Sequence, residues 1–374
     1  MSKIRVTVLF GGQSSEHEVS RISAQCVLEN IDRNRFEIQT IGITKKGEWL
    51  KYEGDISLIG SGQWEEIARS QLRKRKDAGL LSNYIENTPT LMALVSFDDK
   101  YNTDGTVNVV FPVLHGPNGE DGSVQGLLQL ADVPYVGCNI LASAAGMDKA
   151  FSKLVFANAG IPQADYIVVM RSEIDEKIDD ILRKVSEKFG WPCFVKPANA
   201  GSSVGVSKVK RPDDLLQALQ YAAKYDTKIL IEEFIRGREV ECAVLGNDSP
   251  IASTVGEILP SNEFYDYNAK YIDGKSTTII PANIDRNIIE QVRKYAVRAF
   301  KALGCSGLSR VDFFVEESGR VVLNEINTMP GFTDISMYSK LWEASGIPYT
   351  ELITRLIELA LENYRQRTRS YERK

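Results

Sequence analysis

Four side chains near the carboxy terminus carry the strongest chemical signal in this 374-residue chain. Arg310-Val311-Asp312-Phe313-Phe314-Val315-Glu316 and Val321-Val322-Leu323-Asn324-Glu325-Ile326-Asn327 are apolar runs interrupted by polar residues, with Ser318-Gly319 between them. They read as a β-hairpin. With Ser318-Gly319 as a two-residue loop, Asp312 faces Glu325, Arg310 faces Asn327, and strand alternation puts all four on one face. Carboxylates directly opposite have β-carbons roughly 4.5–5.5 Å apart and destabilise the pair unless a counter-charge lies close. A bound cation supplies one. Hard oxygen ligands beside an amide suit Mg²⁺, which is held by one or two carboxylates plus substrate phosphates. The alternative is an exposed polar face on which Arg310 supplies the counter-charge.

Three other segments carry weaker signals. Lys196 ends an apolar strand and precedes Ala198-Asn199-Ala200-Gly201-Ser202-Ser203-Val204-Gly205-Val206. Small residues let backbone N–H groups approach phosphate oxygens, and a lysine at the loop base adds charge; a plain turn uses the same residues. Glu232-Glu233-Phe234-Ile235 and Arg236-Gly237-Arg238-Glu239 fall at a strand–turn–strand junction, where carboxylates read an adenine amino group and ribose hydroxyls, or simply face water. Glu16 follows Gly11-Gly12 at a helix start, where the dipole favours a negative side chain: it is a cap, or an anchor for an ammonium group. No Walker A loop is present, because Gly274-Lys275-Ser276 has Ala269 where the first glycine belongs. No GxGxxG occurs, which argues against a dinucleotide-binding dehydrogenase.

The elements that must position these groups form an α/β (α+β) chain of two or three domains. Ile4–Phe10 reads as a buried strand, Glu16–Asn30 as a helix, Glu37–Thr44 and Val107–Leu114 as further strands of a parallel sheet. Residues 52–90 look like an insertion on that domain. The helix Asp148–Ala159, with Phe151, Leu154 and Val155 at helical spacing, opens a second unit. Lys228–Phe234 and Glu239–Leu245 read as a strand pair opening a third, followed by a helix over Arg286–Leu303 capped by Gly304. The expected boundaries are 1–138, 139–227 and 228–374.

Composition narrows the function classes. Net charge is −5, and the basic cluster Arg69, Arg73, Lys74, Arg75 and Lys76 lacks interleaved aromatics, so it reads as a solvated helix face rather than a nucleic-acid surface. Five scattered cysteines and two histidines exclude a zinc site and fit a reducing compartment. The opening apolar run is too short for a signal peptide, and none approaches the ~18–20 residues that span a bilayer. A cytoplasmic protein without membrane or nucleic-acid partners is expected.

Together and in order, these segments resemble the D-alanine–D-alanine ligases of the ATP-grasp superfamily. The resemblance runs through Gly11-Gly12-Gln13-Ser14-Ser15-Glu16-His17-Glu18-Val19-Ser20, His115-Gly116 to Glu120-Asp121-Gly122, Met147-Asp148-Lys149, Lys196-Pro197 to Gly205, Arg310-Val311-Asp312, and Asn324-Glu325-Ile326-Asn327-Thr328-Met329-Pro330-Gly331-Phe332-Thr333 with Ser336. It implies an ATP-grasp fold with an amino-terminal parallel-sheet domain, ATP clamped between the other two, and a homodimer. Lys149 and Lys196 would contact phosphates; Glu232, Glu233, Ile235, Glu239, Phe264 and Asn324 would line the nucleotide. Asp312, Glu325 and Asn327 would hold two Mg²⁺, with Mn²⁺ as a substitute. Arg310 and the N–H of Gly331 would meet the oxyanion. Glu16 would hold the first D-alanine's ammonium beside His115, and Lys270 with Ser336 the second's carboxylate. Ser202 and Tyr271 would tie the central loop to a lid over Phe264–Tyr271. Ala200 departs from the glutamate some members carry there. Ligases that use D-lactate or D-serine, and a non-catalytic nucleotide-binding relative, are the alternatives; Tyr271 argues against D-lactate, and the intact lysines and carboxylates against lost chemistry.

Overall fold

A computed structural model describes residues 3–77, 108–259 and 277–367. Three sheets carry the molecule. The first is ordered β3-β2-β1-β4, from β1 (Ile4–Gly11), β2 (Phe36–Ile43), β3 (Trp49–Tyr52) and β4 (Asn108–Pro112). β1 pairs in parallel with both β2 and β4, while β3 is antiparallel at the edge. Val6 to Phe10 are buried without alternation, as a strand covered on both faces requires. The helices of this part are α1 (His17–Asn30), α2 (Ser57–Ser61), α3 (Trp64–Asp77) and α4 (Ser123–Leu130).

The described part of residues 52–90 is not an appendage. Trp64 at the start of α3 is buried, meets Phe10 edge-on at 4.8 Å, and packs where Gly42 has no side chain. The basic cluster does lie on a helix: Arg69 pairs with Glu65 at 2.9 Å and Arg75 with Glu53 at 2.8 Å. Aromatic burial at one helix end and charge at the other gave the stretch its mixed appearance.

The central sheet, β5-β8-β6-β7, is antiparallel and uses β5 (Tyr166–Met170), β6 (Cys193–Pro197), β7 (Ser207–Val209) and β8 (Lys228–Glu233), covered by α7 (Ile174–Lys188) and α8 (Leu215–Ala222). The expected pairing of Lys228–Phe234 with Glu239–Leu245 does not form, because β8 lies between β5 and β6. The change of sheet falls between Glu233 and Gly237. Likewise α5 (Ile140–Met147) and α6 (Lys149–Asn158) share their core with the third sheet, through Ala142, Ala145 and Phe156.

That third sheet, β11-β10-β9-β12-β13, contains β9 (Gly237–Gly246), β10 (Ile251–Leu259), β11 (Thr277–Ile279), β12 (Gly307–Glu316) and β13 (Val321–Asn327). α9 (Arg286–Leu303) packs on one face and ends at Gly304, whose φ of +71° is left-handed. α10 (Met337–Ala344) and α11 (Tyr349–Gln366) cover part of the other. The rest of that face is open and carries the site. No helix among the described residues is long and apolar enough to cross a membrane.

Candidate active site

The hairpin β12–β13 pairs Arg310 with Asn327 and Asp312 with Glu325, as the sequence suggests, although its loop differs. Glu316 N–H donates to Arg320 O at 3.0 Å, so the loop is the three residues from Glu317 to Gly319. A β-bulge at Asn324 then restores the register before Glu325 is reached. Arg310 donates to both carboxylate oxygens of Asp312, at 2.8 and 2.7 Å, and pairs with Glu241 of β9 at 2.9 Å. Burial works against its charge, but Asp312 and Glu241 hold the guanidinium firmly protonated. The face is therefore not an exposed one: Asp312 and Glu241 are buried.

Asp312, Glu325 and Asn327 fit a hard divalent cation. Asn327 Nδ2 donates to Asp312 at 3.0 Å, which leaves the amide oxygen available. Among the described residues no group of three or more His, Cys, Asp or Glu side chains is placed to hold a metal ion by itself. Two carboxylates and an amide, open to a ligand's phosphates, are the set Mg²⁺ favours.

On one side of Glu325 lies a cavity of about 440 Å³ between the second and third sheets, lined by Lys149, Lys196, Ser202, Glu232 to Glu239, Asn324 and Glu325. Lys149 opens α6, whose N-cap Asp148 accepts from Ala150 and Phe151. Its ammonium donates to Ala200 O at 2.8 Å and lies 3.4 Å from Glu325. Lys196 pairs with Glu232 at 2.5 Å. The other oxygen of Glu232 lies 3.1 Å from Lys153, in an ion pair not aligned as a hydrogen bond. Burial alone would raise the Glu232 carboxyl; Lys153 and Lys196 bring it below its ordinary value. Burial lowers the Lys153 ammonium. Glu233, Ile235 and Glu239 line the same cavity, with the Phe194 and Phe234 rings 6.0 Å apart.

On the other side is a cavity of about 230 Å³ lined by Glu16, His115, Glu120, Ser202, Arg310, Gly331, Ser336 and Lys340. Glu325 and Ser202 line both. Ser202 Oγ donates to Glu16 Oε1, so the Gly-Ser-Ser loop closes on the amino-terminal sheet. His115 has both ring nitrogens engaged: Nδ1–H donates to Met329 O and Nε2 accepts from Ser23 Oγ, each at 3.1 Å. Burial lowers it, so it is neutral and fixes the segment before Gly331. A Cβ on Gly331 would sit 2.8 Å from Ser336 Oγ, hence the glycine. Burial and the charge of Glu16 push the Glu120 carboxyl up to about 8, although it accepts from Gly116 N–H at 2.7 Å.

Family models of the "D-ala D-ala ligase N-terminus" and "D-ala D-ala ligase C-terminus" match residues 5–138 and 155–358. The chain belongs to the D-alanine–D-alanine ligase family. It is 58% identical to the D-alanine–D-alanine ligase of Acetivibrio thermocellus and 55% to that of Ruminiclostridium cellulolyticum, each over 99% of both chains. Solved structures of the same shape include the Coxiella burnetii D-alanine–D-alanine ligase (TM-score 0.76, 33% identity, 98% of this chain and 96% of that one). Another is the VanG D-Ala:D-Ser ligase of Enterococcus faecalis (TM-score 0.77, 36% identity, 96% and 100%). The fold of this ligase is accordingly ATP-grasp.

Of the site residues read from the sequence, all within the described part line one of the two cavities or lie on the β12–β13 hairpin. Tyr271, Lys270, Phe264 and the lid segment around them lie outside the described residues. Sequence reasoning missed three groups. Lys153 lies one helical turn after Lys149, but its partner Glu232 is distant in sequence. Glu120 stood in the quoted His115-Gly116 segment without a role. Glu241 is the strand neighbour of Asp312, visible only once β9 and β12 are known to pair.

Proposed function

We propose that this ATP-dependent ligase joins two D-alanine molecules into D-alanyl-D-alanine, the dipeptide of peptidoglycan precursors, with the residues above in the following roles. The observation that carries the reading is that Glu325 lines both cavities, so the phosphate end of a nucleotide site opens onto an amino-acid site. A carboxylate is a poor electrophile and must be activated. The adenine lies against Ile235 with Glu232, Glu233, Glu239 and Asn324 around the nucleoside, and Lys149 and Lys196 hold the phosphates. The first D-alanine, its ammonium on Glu16 beside His115, attacks the γ-phosphorus in line; the bond to the leaving ADP oxygen breaks and an acyl phosphate forms. Two Mg²⁺, or Mn²⁺ in their place, would be held by Asp312, Glu325 and Asn327 and would neutralise phosphate charge when bound. The deprotonated amine of the second D-alanine attacks the acyl carbon. Arg310 and the Gly331 N–H stabilise the tetrahedral oxyanion, which collapses and expels phosphate. Lys270 and Ser336 take the second D-alanine's carboxylate, while Ser202 and Tyr271 tie the central loop to the lid that excludes water.

The test is a product assay. Chain, ATP, Mg²⁺ and D-alanine should yield ADP, phosphate and D-alanyl-D-alanine, with no dipeptide from L-alanine. D-serine and D-lactate as competing acceptors should be incorporated poorly; a predominant D-alanyl-D-serine product would favour the reading carried by the VanG similarity. Omitting divalent cations and restoring Mg²⁺ or Mn²⁺ separately tests the cofactor. A cytoplasmic homodimer with three units over 1–138, 139–227 and 228–374 is the accompanying proposal, and sedimentation velocity reads the stoichiometry.

A further inference from the structure

Between the nucleotide cavity and helix α6, one carboxylate is set against two ammonium groups. Glu232 pairs with Lys196 at 2.5 Å through one oxygen and lies 3.1 Å from Lys153 through the other. All three residues are buried. Their positions differ, however. Lys196 and Glu232 line the nucleotide cavity, whereas Lys153 stands outside that lining, its ammonium 5.4 Å from the centroid of the Tyr166 ring. Lys196 can therefore turn to a bound phosphate, and Lys153 cannot.

A buried carboxylate needs one cation for neutrality, and a second buried cation adds a desolvation cost of its own. The surplus makes sense once a polyanion enters. In the ligase reading above, on which this inference rests, Lys196 holds the nucleotide's phosphates. Glu232 would then remain in a closed site as an unpaired carboxylate, a state that burial penalises heavily. We propose that Lys153 is a positioning residue for the nucleotide: it stays on Glu232 when Lys196 leaves for the phosphates, and so frees Lys196 to move. The charged and titratable groups that face Glu232 are Lys153 of α6, Lys196 of β6 and Tyr166 of β5, while Glu325 of β13 acts on Lys153. Burial and the charge of Glu232 both hold the Tyr166 hydroxyl protonated, so it brings no charge. Among these groups Lys153 is the one cation left to Glu232 once Lys196 has moved.

Proton uptake on nucleotide binding separates this role from a structural one. Lys153→Met removes the charge and keeps an apolar chain of similar length. With the site empty, Lys196 still balances Glu232, so the full-length variant should fold with a Tm within about 5 °C of wild type. A variant that does not fold overturns the proposal, since Lys153 would then serve the empty protein. Calorimetric titration with Mg²⁺-ADP at pH 7, in two buffers of different ionisation enthalpy, reads both affinity and protons taken up. In Lys153→Met the phosphates draw Lys196 away, and the buried Glu232 takes a proton from the buffer. Kd should rise about tenfold or more, and uptake should exceed that of wild type by about half a proton or more per ADP. Lys153→Met with Glu232→Gln has no carboxylate to protonate, and its uptake should return to the wild-type value. A single variant that takes up no more protons than wild type overturns the assignment, and so does a double variant that keeps the excess. Either result leaves the ligase reading standing; a wild type that binds no ADP fails that reading first, and this proposal with it.

Discussion

Glu120 lies near Glu16 in the amino-acid cavity, and burial together with that charge pushes its carboxyl up to about 8. An unfolded glutamate titrates near 4.3, so the folded chain holds this proton more tightly than the unfolded one. The stability it contributes is complete below the unfolded value and is lost as pH rises through the folded one. Wild type should therefore lose Tm between pH 5 and 8 relative to Glu120→Gln, which cannot ionise, by about 3 °C or more. Melting curves of the two proteins that stay parallel across that range would show that Glu120 is ionised when folded. Arg310 gives a second test among the residues. Its planar fork grips both oxygens of Asp312 while Glu241 holds Nε, an arrangement a lysine cannot copy. Arg310→Lys should cut turnover by more than about tenfold, the scale of one transition-state donor, with ATP affinity nearly unchanged. A loss seen only as weaker ATP binding would make Arg310 a nucleotide contact. These roles were legible in part: residue types and the hairpin gave Arg310, Asp312 and Glu325. Glu241 stayed hidden, since its place beside Asp312 depends on which strand β12 chooses as its second neighbour.

Among the elements, the β12–β13 hairpin shows how a correct register arises from an incorrect loop. A two-residue loop at Ser318-Gly319 and a three-residue loop at Glu317 to Gly319 differ by one position in every pair, and the bulge at Asn324 removes that difference just before Glu325. The sequence shows neither departure, because bulge residues follow no composition rule. Asn324 thus separates Leu323, in the apolar core, from Glu325, on the open face. Gly319 has φ +84°, and a Cβ there would meet only Ile288 at 3.6 Å, an ordinary contact. Gly319→Ala should accordingly cost only left-handed backbone strain, about 1–2 kcal/mol, with kcat and the KM for ATP unchanged. A large change in kcat would mean that the loop, rather than the bulge, fixes the position of Asp312 against Glu325. Helix α6 was legible in extent but not in orientation. Of the apolar residues that suggested the helix, Phe151 and Leu154 are 49% and 60% exposed and only Val155 packs on the core, while Lys153 is buried against Glu232. A buried ion pair between α6 and β8 decides which face turns inward, and helical periodicity carries no record of it.

For the whole molecule, the amino-terminal parallel sheet could be read from continuous apolar strands, whereas the break between the other two sheets could not. β8 and β9 are adjacent in sequence and similar in composition, yet they join different sheets, a choice made by β5 and β6 rather than by β8 itself. The site depends on all three sheets, and Ser202 Oγ donating to Glu16 Oε1 ties the loop after β6 to the start of α1. Ser202 and Ser203 have φ of +50° and +59°, left-handed values that cost non-glycine residues roughly 1–2 kcal/mol each. Such strain persists only where the surroundings fix it. Here the loop is folded onto Glu16, whose Oε2 would lie 3.0 Å from a Cβ at Gly201. If this bond holds the phosphate loop over the amino-acid cavity, removing either partner should disable the same feature. Ser202→Ala should lower kcat/KM for D-alanine by about tenfold, and Glu16→Ala by more, since Glu16 is also the proposed partner of the ammonium. The double variant should then fall no further than Glu16→Ala alone, a coupling on the order of 1.4 kcal/mol. Effects that multiply in the double variant would mean that the two residues act independently, and that the link between the amino-terminal sheet and the phosphate loop lies elsewhere.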